Sequence, residues 1–534
     1  MKEKTKLSKI LALAICLMLI LMMFSSYSYA NITASTNTAK IIVNGVEAGV
    51  KVSAYQLTTV NYDYDNDVPT STPYAWTNDI KPLVTAINSN YTNDATGIET
   101  FVKEIEEGGA DASEAFYDKL ASAIKTGNIT AKYSDTSEGE LAYPVETNSK
   151  VEFDGCEMGT YLIIIENGYK VYTPSVINLT PEYNTDNNEW ELKDQTVTIK
   201  ATNPTIEKSI VNEKDGYSTK DTITYQIVGN VPKYLEESVA KKYYISDKLS
   251  DNLTLDTSSI KVYGQNGSSA RVQLTATTDY TLTTSSAVRP SNSQPVSFLI
   301  NFVYDNIKGY EKVIVEYNAR ITLDESVFED GNIEIKNDAY LDYNNNPYED
   351  GWQTNGPDDG EDEDTESTVK IYTYGAIITN TDKEGTVIQN GGAEFTLTLG
   401  DETQYFKKSS DGVYFVANST DEGDPTQTLV VGANGTLKIY GLETGTYTLT
   451  QTKAPNGYNK ASSTTQIPVV DSEPDGVIDD DDDAIIEISF INGTGFQLPI
   501  TGGIGTVVFV AGGILLIEFG LVILAVVIKL RRYK

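Results

Sequence analysis

The sequence predicts a mainly β protein, a row of tandem β-sandwich domains with a short helical insertion in the first. Three observations point there. The chain holds 35 tyrosines beside abundant Thr, Val and Ile, residues that suit a pleated, half-buried surface. Short runs alternate apolar with polar residues and are bounded by Gly, Asn, Asp and Pro, the pattern of sandwich strands and their turns. Few stretches carry a helical period; 94–124 is the main one, with Phe101, Val102, Ile105, Phe116, Leu120 and Ile124 at mixed three- and four-residue steps. A length of 534 residues implies several such domains.

Taken in order, the chain opens with Lys2, Lys4, Lys6 and Lys9, an apolar stretch over 10–24, and Ser28-Tyr29-Ala30. This is the layout of a secretory signal peptide over 1–30, cleaved after Ala30. The first domain, 31–201, begins with strands at Lys40-Ile-Ile-Val-Asn and Val50-Lys-Val-Ser-Ala-Tyr, with Asn44-Gly45 as a hairpin signal between them. One or two helices follow, and strands resume at Tyr161-Leu-Ile-Ile-Ile and over 195–200. Asn203-Pro204 breaks the chain. A second sandwich covers 202–373, with an acidic loop from Pro357 to Asp364. A third covers 374–497, with an acidic run at 479–483 that loosely resembles a calcium loop and lacks the regular ligand alternation of one. The segment 498–534 holds Leu498-Pro499-Ile500-Thr501-Gly502, an apolar run over 507–527 long enough to span a bilayer as a helix, and Lys529, Arg531, Arg532 and Lys534. Glu518 interrupts the apolar run, a costly residue at mid-bilayer.

Composition excludes several functions. The net charge is −36, from 40 basic and 76 acidic residues, which opposes nucleic-acid binding. There is no histidine, so the commonest general base, the usual triads and most zinc sites are absent. Of two cysteines, Cys16 falls in the leader, and Cys156 alone cannot form an intrachain disulfide. No enzyme activity on a substrate, no cofactor and no metal site are expected.

The middle domain carries polar residues where core residues belong. In Ile206-Glu-Lys-Ser-Ile, Lys208 shares a face with Ile206 and Ile210, because strand side chains alternate. Asp247 sits between Ile245 and Leu249 in the same way, and Asn337 falls in the series Ile333, Ile335, Asn337, Ala339, Leu341. An isolated buried ammonium is very costly. Burial drives a lysine toward its neutral, nucleophilic amine and a carboxyl toward the protonated acid. A protonated Asp247 could then hydrogen-bond and polarise the Asn337 carbonyl. Contact between amine and amide supplies an effective molarity of roughly 10⁵–10⁸ M. The product would be a Lys–Asn isopeptide bond with loss of ammonia, made once per molecule. The alternative is a buried Lys–Asp ion pair beside an asparagine.

Three sets of residues resemble known families. The order of pentapeptide, apolar span and basic tail resembles the LPXTG sorting signal of Gram-positive surface proteins. That resemblance implies that a sortase cuts between Thr501 and Gly502 and passes the Thr501 acyl group to an amine. Lys208, Asp247 and Asn337 resemble the reactive set of the isopeptide-forming domains of sortase-assembled pilins, in which a first-strand Lys joins a last-strand Asn, helped by an acid on a third strand. Gly392-Ala-Glu-Phe-Thr-Leu, Gly441-Leu-Glu-Thr-Gly-Thr-Tyr and Lys453-Ala-Pro-Asn-Gly-Tyr resemble Cna-B type repeats. Where that family has Lys and Glu, this chain has Asn380 and Gln451; only Asn492 fits. The third domain is therefore expected to hold a non-reactive buried amide set of Asn380, Gln451 and Asn492, with Lys383 set apart in a turn.

Together the resemblances imply a Spa-type major pilin, secreted and anchored to peptidoglycan at the cell wall, supporting adhesion. The implied partners are pilin-class and housekeeping sortases, further copies of the chain, minor pilins and a host surface ligand that no residue identifies. Lys200, after Trp190 and Val197, is the nearest match to the acceptor lysine of such subunits, although the Tyr-Pro before it is missing. The alternative is a monomeric wall-anchored adhesin that uses the same domains as a stalk.

Overall fold

The computed structural model describes residues 30–31, 37–141, 147–186, 188–211, 213–323, 334–350, 365–470, 485–494 and 515–524. The signal peptide apart from Ala30, the pentapeptide 498–502 and both acidic runs lie outside these residues, as does Ile333. Of the apolar run, 515–524 is helical and exposed. Among the described residues, no helix is long and apolar enough to cross a membrane.

In the first domain, strand Thr38–Val46 pairs with Ser149–Glu157 and, in parallel, with Gln195–Thr198. Strand Lys51–Gln56 pairs instead with Gly159–Glu166 and Tyr133–Thr136. The two strands expected to form one hairpin therefore belong to opposite sheets. Asn44-Gly45 makes a bulge inside the first strand rather than a turn after it: Gly45 has φ 79° and the register slips between Asn44 and Val46. The G1-type bulge uses the same left-handed glycine that a tight turn would.

Ile41, Val43, Val52, Ala54, Phe153 and Ile163 fill the space between these sheets. The outer face of the second sheet, with Tyr55, Leu57, Leu162 and Ile164, is covered by helices. That double burial explains the unbroken apolar run Tyr161-Leu-Ile-Ile-Ile. The helices are Lys81–Ile87, Ala95–Phe101 and Ala110–Thr126, with a π turn at Val102–Glu106. Asp94 caps the second by accepting from the Gly97 amide at 2.8 Å. Lys81–Ile87 was not expected; it is two turns long and buries only Val84, too little to show a period.

The middle domain is an antiparallel sandwich of two five-stranded sheets. One runs in the order Ile206–Val211, Thr222–Asn230, Lys312–Ile321, Leu253–Gln265 and Val272–Gln273; the other runs Tyr280–Thr283, Phe298–Phe302, Tyr243–Leu249, Glu334–Tyr343 and Glu366–Tyr372. The third domain packs a sheet built on Tyr374–Thr381 against one built on Glu394–Leu399 and Gly445–Lys453. Its strand Ile485–Ile491 joins Tyr374–Thr381 in parallel at the sheet edge.

Neighbouring domains are tied through main-chain carbonyls. The buried Tyr343 hydroxyl donates to the Tyr169 carbonyl at 2.6 Å and Asn345 Nδ2 to the Gly168 carbonyl at 2.6 Å. At the other end of the middle domain, Ser218 Oγ donates to the Gly441 carbonyl at 2.9 Å and Thr219 Oγ1 to the Val416 carbonyl at 2.6 Å.

Candidate functional site

Alternation places each of the three middle-domain residues where the sequence pattern implied. In Ile206–Val211, Ile206 and Lys208 are buried while Glu207 and Ser209 are exposed. Asp247 and Asn337 are both 0% exposed, and the Lys208 side chain is likewise 0% exposed. The two sheets divide the set. Lys208 comes from the edge strand of one; Asp247 and Asn337 come from adjacent strands of the other. Asp247 lies opposite Ala339 and Leu249 opposite Asn337, so Asp247 and Asn337 share a face two residues apart. Asn337 is on the penultimate strand, because Glu366–Tyr372 follows it. The Lys208 amide donates to Ser367 Oγ of that last strand at 2.9 Å, which closes the sandwich edge beside the site.

Lys208 Nζ forms an ion pair and hydrogen bond with Asp247 Oδ2. It also donates to the Tyr317 hydroxyl at 2.8 Å. Tyr317 in turn donates to Asp247 Oδ1 at 3.0 Å and accepts from Asn337 Nδ2 at 2.7 Å. The direct Asp247–Asn337 contact expected from the sequence is therefore replaced by a tyrosine between them. Asn337 Oδ1 has no hydrogen-bond partner among the described residues. The ammonium sits against two rings, 5.3 Å from the centre of Tyr225 and 5.4 Å from that of Tyr317. Those rings are stacked on one another, with Phe298 edge-on to Tyr317.

Burial lowers the Lys208 pKa, and Asp247 and Asp338 only partly restore it. Burial raises the Asp247 pKa, against the pull of Lys208 and Tyr317. Both shifts favour the neutral pair of amine and acid. The site can thus present a nucleophilic nitrogen, a proton-carrying carboxyl and a primary amide within one dry space.

Tyr317 was missed from the sequence. Val313, Val315, Tyr317 and Ala319 alternate inward and would have placed it in the core. A core tyrosine is commonplace, and only its contacts distinguish it.

In the third domain Asn380, Gln451 and Asn492 are all buried and joined in one chain of amides. Gln451 Nε2 donates to Asn492 Oδ1 at 2.8 Å, and Asn492 Nδ2 donates to Asn380 Oδ1. Gln451 Oε1 accepts from the Ala461 amide at 2.8 Å. Lys383 sits in the turn that Asp382 caps by accepting from Glu384 and Thr386, and the end of its side chain lies over Gly493, outside the buried amide chain. Lys200 is exposed just beyond strand Gln195–Thr198, with its carbonyl accepting from the Thr173 amide at 3.0 Å.

Comparison with known proteins follows this division. Residues 376–483 match the family model described as "SpaA: Prealbumin-like fold domain". The third domain is a Spa-type prealbumin-like domain. The chain is homologous to the trypsin-resistant surface T6 protein of Streptococcus pyogenes serotype M6, 25% identical over 293 residues, covering 53% of this chain and 49% of that one. It is also homologous to the type 1 fimbrial subunit of Actinomyces viscosus, 26% identical over 355 residues, covering 60% and 63%. The chain thus spans about half to under two thirds of the length of these curated relatives. The solved T6 backbone pilin of the same streptococcal serotype, described as a modular three-domain structure, superposes with a TM-score of 0.51 at 19% identity, covering 82% of this chain and 81% of that one. That likeness speaks for the fold alone.

Proposed function

We propose that this chain is the structural backbone subunit of a covalently assembled surface fibre, stiffened by a Lys208–Asn337 isopeptide bond. The observation that carries the reading is the buried constellation of Lys208, Asp247 and Asn337 bridging two sheets. A bare ion pair would be an expensive way to fill a core. An amine and an amide held on one hydroxyl are instead poised for acyl transfer. The bond would tie the first strand of the domain to the opposite sheet and resist shear along the stack. The relatives support the role, since they are a surface protein, a fimbrial subunit and a backbone pilin.

In the same reading the leader exports the chain and a sortase cuts between Thr501 and Gly502. Thr501 then passes to Lys200 of the next copy and, at the base, to peptidoglycan of a Gram-positive wall. Glu518 leaves with the discarded fragment. The amides Asn380, Gln451 and Asn492 offer neither nucleophile nor acid, so the third domain stays uncrosslinked. The protein is a sortase substrate and acts on no substrate of its own. Immunoblots of wall digests test the assembly step. Ladders of high-mass species that disappear in Lys200→Arg are expected; single copies alone would favour the wall-anchored adhesin, and unchanged ladders in Lys200→Arg would move the acceptor elsewhere.

A further inference from the structure

We propose that Tyr317 is a catalytic residue of isopeptide formation, carrying the proton from Asp247 to the departing Asn337 nitrogen. The proposal rests on the crosslinking reading above and adds a group to it. Its hydroxyl is the one atom that touches every other member of the set: Lys208 Nζ at 2.8 Å, Asp247 Oδ1 at 3.0 Å and Asn337 Nδ2 at 2.7 Å. A hydroxyl has one donor and two acceptor positions, and all three are filled by reacting groups. Asp247, by contrast, touches the nucleophile and the tyrosine, with no hydrogen bond to the amide it must serve. A proton taken from Lys208 at Oδ2 therefore has its hydrogen-bonded route to Nδ2 through the phenol.

The step balances. The neutral Lys208 amine attacks Asn337 Cγ, and a C–N bond forms. In the tetrahedral adduct Nδ2 has become an amine with a free lone pair; Tyr317 turns its O–H from Asp247 to Nδ2, gives up that proton and accepts one from the Asp247 carboxyl, which recovers a proton from Nζ. The Cγ–Nδ2 bond breaks and ammonia leaves. Tyr317 and Asp247 end as they began. The stacked Tyr225 ring and the edge of Phe298 hold the phenol in line. Asp338, on the outer face of the Asn337 strand, is the other charge felt by both Lys208 and Asp247.

The test follows the loss of one ammonia by intact mass after cell-free synthesis of the mature chain. Tyr317→Phe keeps the ring and removes the hydroxyl; Tyr317→Leu removes both. A proton relay slows conversion in Tyr317→Phe by about 10²-fold or more, the usual worth of a positioned acid–base group. A packing role would slow only Tyr317→Leu. Near-UV circular dichroism confirms folding. As a second measurement, a fluorinated tyrosine at 317 keeps shape and packing but makes the phenol more acidic. The relay predicts that the pH dependence of conversion shifts with it, and an unshifted profile counts against the relay. Conversion of Tyr317→Phe at the wild-type rate overturns the proposal while leaving the crosslink intact. A wild-type chain that never loses ammonia overturns both.

Discussion

Replacing Asn337 by alanine removes the electrophile and leaves the Lys208–Asp247 pair in place, so it isolates the mechanical worth of the proposed bond. The bond would close the chain between strands Ile206–Val211 and Glu334–Tyr343. In the chain-entropy description, constraining a loop of roughly 130 residues in the unfolded state contributes about 5 kcal/mol. For a domain of this size each kcal/mol moves the midpoint by about 2–4 °C, so the middle domain should melt about 10–20 °C lower. Scanning calorimetry of the mature chain reads this directly, with the third-domain transition as internal reference. A middle-domain midpoint that falls by less than about 3 °C would refute the argument that a covalent tie holds this domain.

Other outcomes follow from the same geometry. Installing the missing chemistry in the third domain, as Asn380→Lys with Gln451→Glu, should join position 380 to Asn492 and remove one further ammonia; an unchanged mass would show that the frame alone is insufficient. Asp118, buried on helix Ala110–Thr126, is pushed up to about 7, first by burial and then by Glu114 and Glu237. Its native form holds a proton between about pH 4 and 7 that the unfolded chain has released, so the first domain loses stability as pH rises through that window and levels off above it. Asp118→Asn should flatten this slope in thermal melts at pH 5 and 8, and a slope equal to wild type would place its origin elsewhere. Gly441 has φ 77°, and a Cβ there would meet Thr219 Oγ1 at 2.3 Å. Gly441→Ala should therefore loosen the joint between the second and third domains, seen as a broader distance distribution in X-ray scattering; an identical curve would show that the joint does not depend on that contact.

What could be read from the sequence was whatever a strand's two-residue period encodes. The burial of Lys208, Asp247 and Asn337 follows from their apolar neighbours on the same face, and so does that of Asn380, Gln451 and Asn492. Which strands become neighbours is not encoded that way. Asn44-Gly45 has the same local chemistry in a bulge as in a hairpin, and the sheet partners of the flanking strands decided between them. Tyr317 escaped for a related reason. Its ring is an ordinary core residue, and its hydroxyl gains meaning only where two sheets bring an amine, a carboxyl and an amide around it. The ties between domains rest on carbonyls such as those of Tyr169 and Gly441, groups that every residue carries.

Tandem mass spectrometry of a proteolytic digest of the mature protein bears most directly on the central claim. The account predicts a branched peptide in which the Lys208 side chain is amide-bonded to the Asn337 side chain, at a mass lower by one ammonia than its two components. Recovery of separate peptides, with a free Lys208 amine and an intact Asn337 amide, would contradict it.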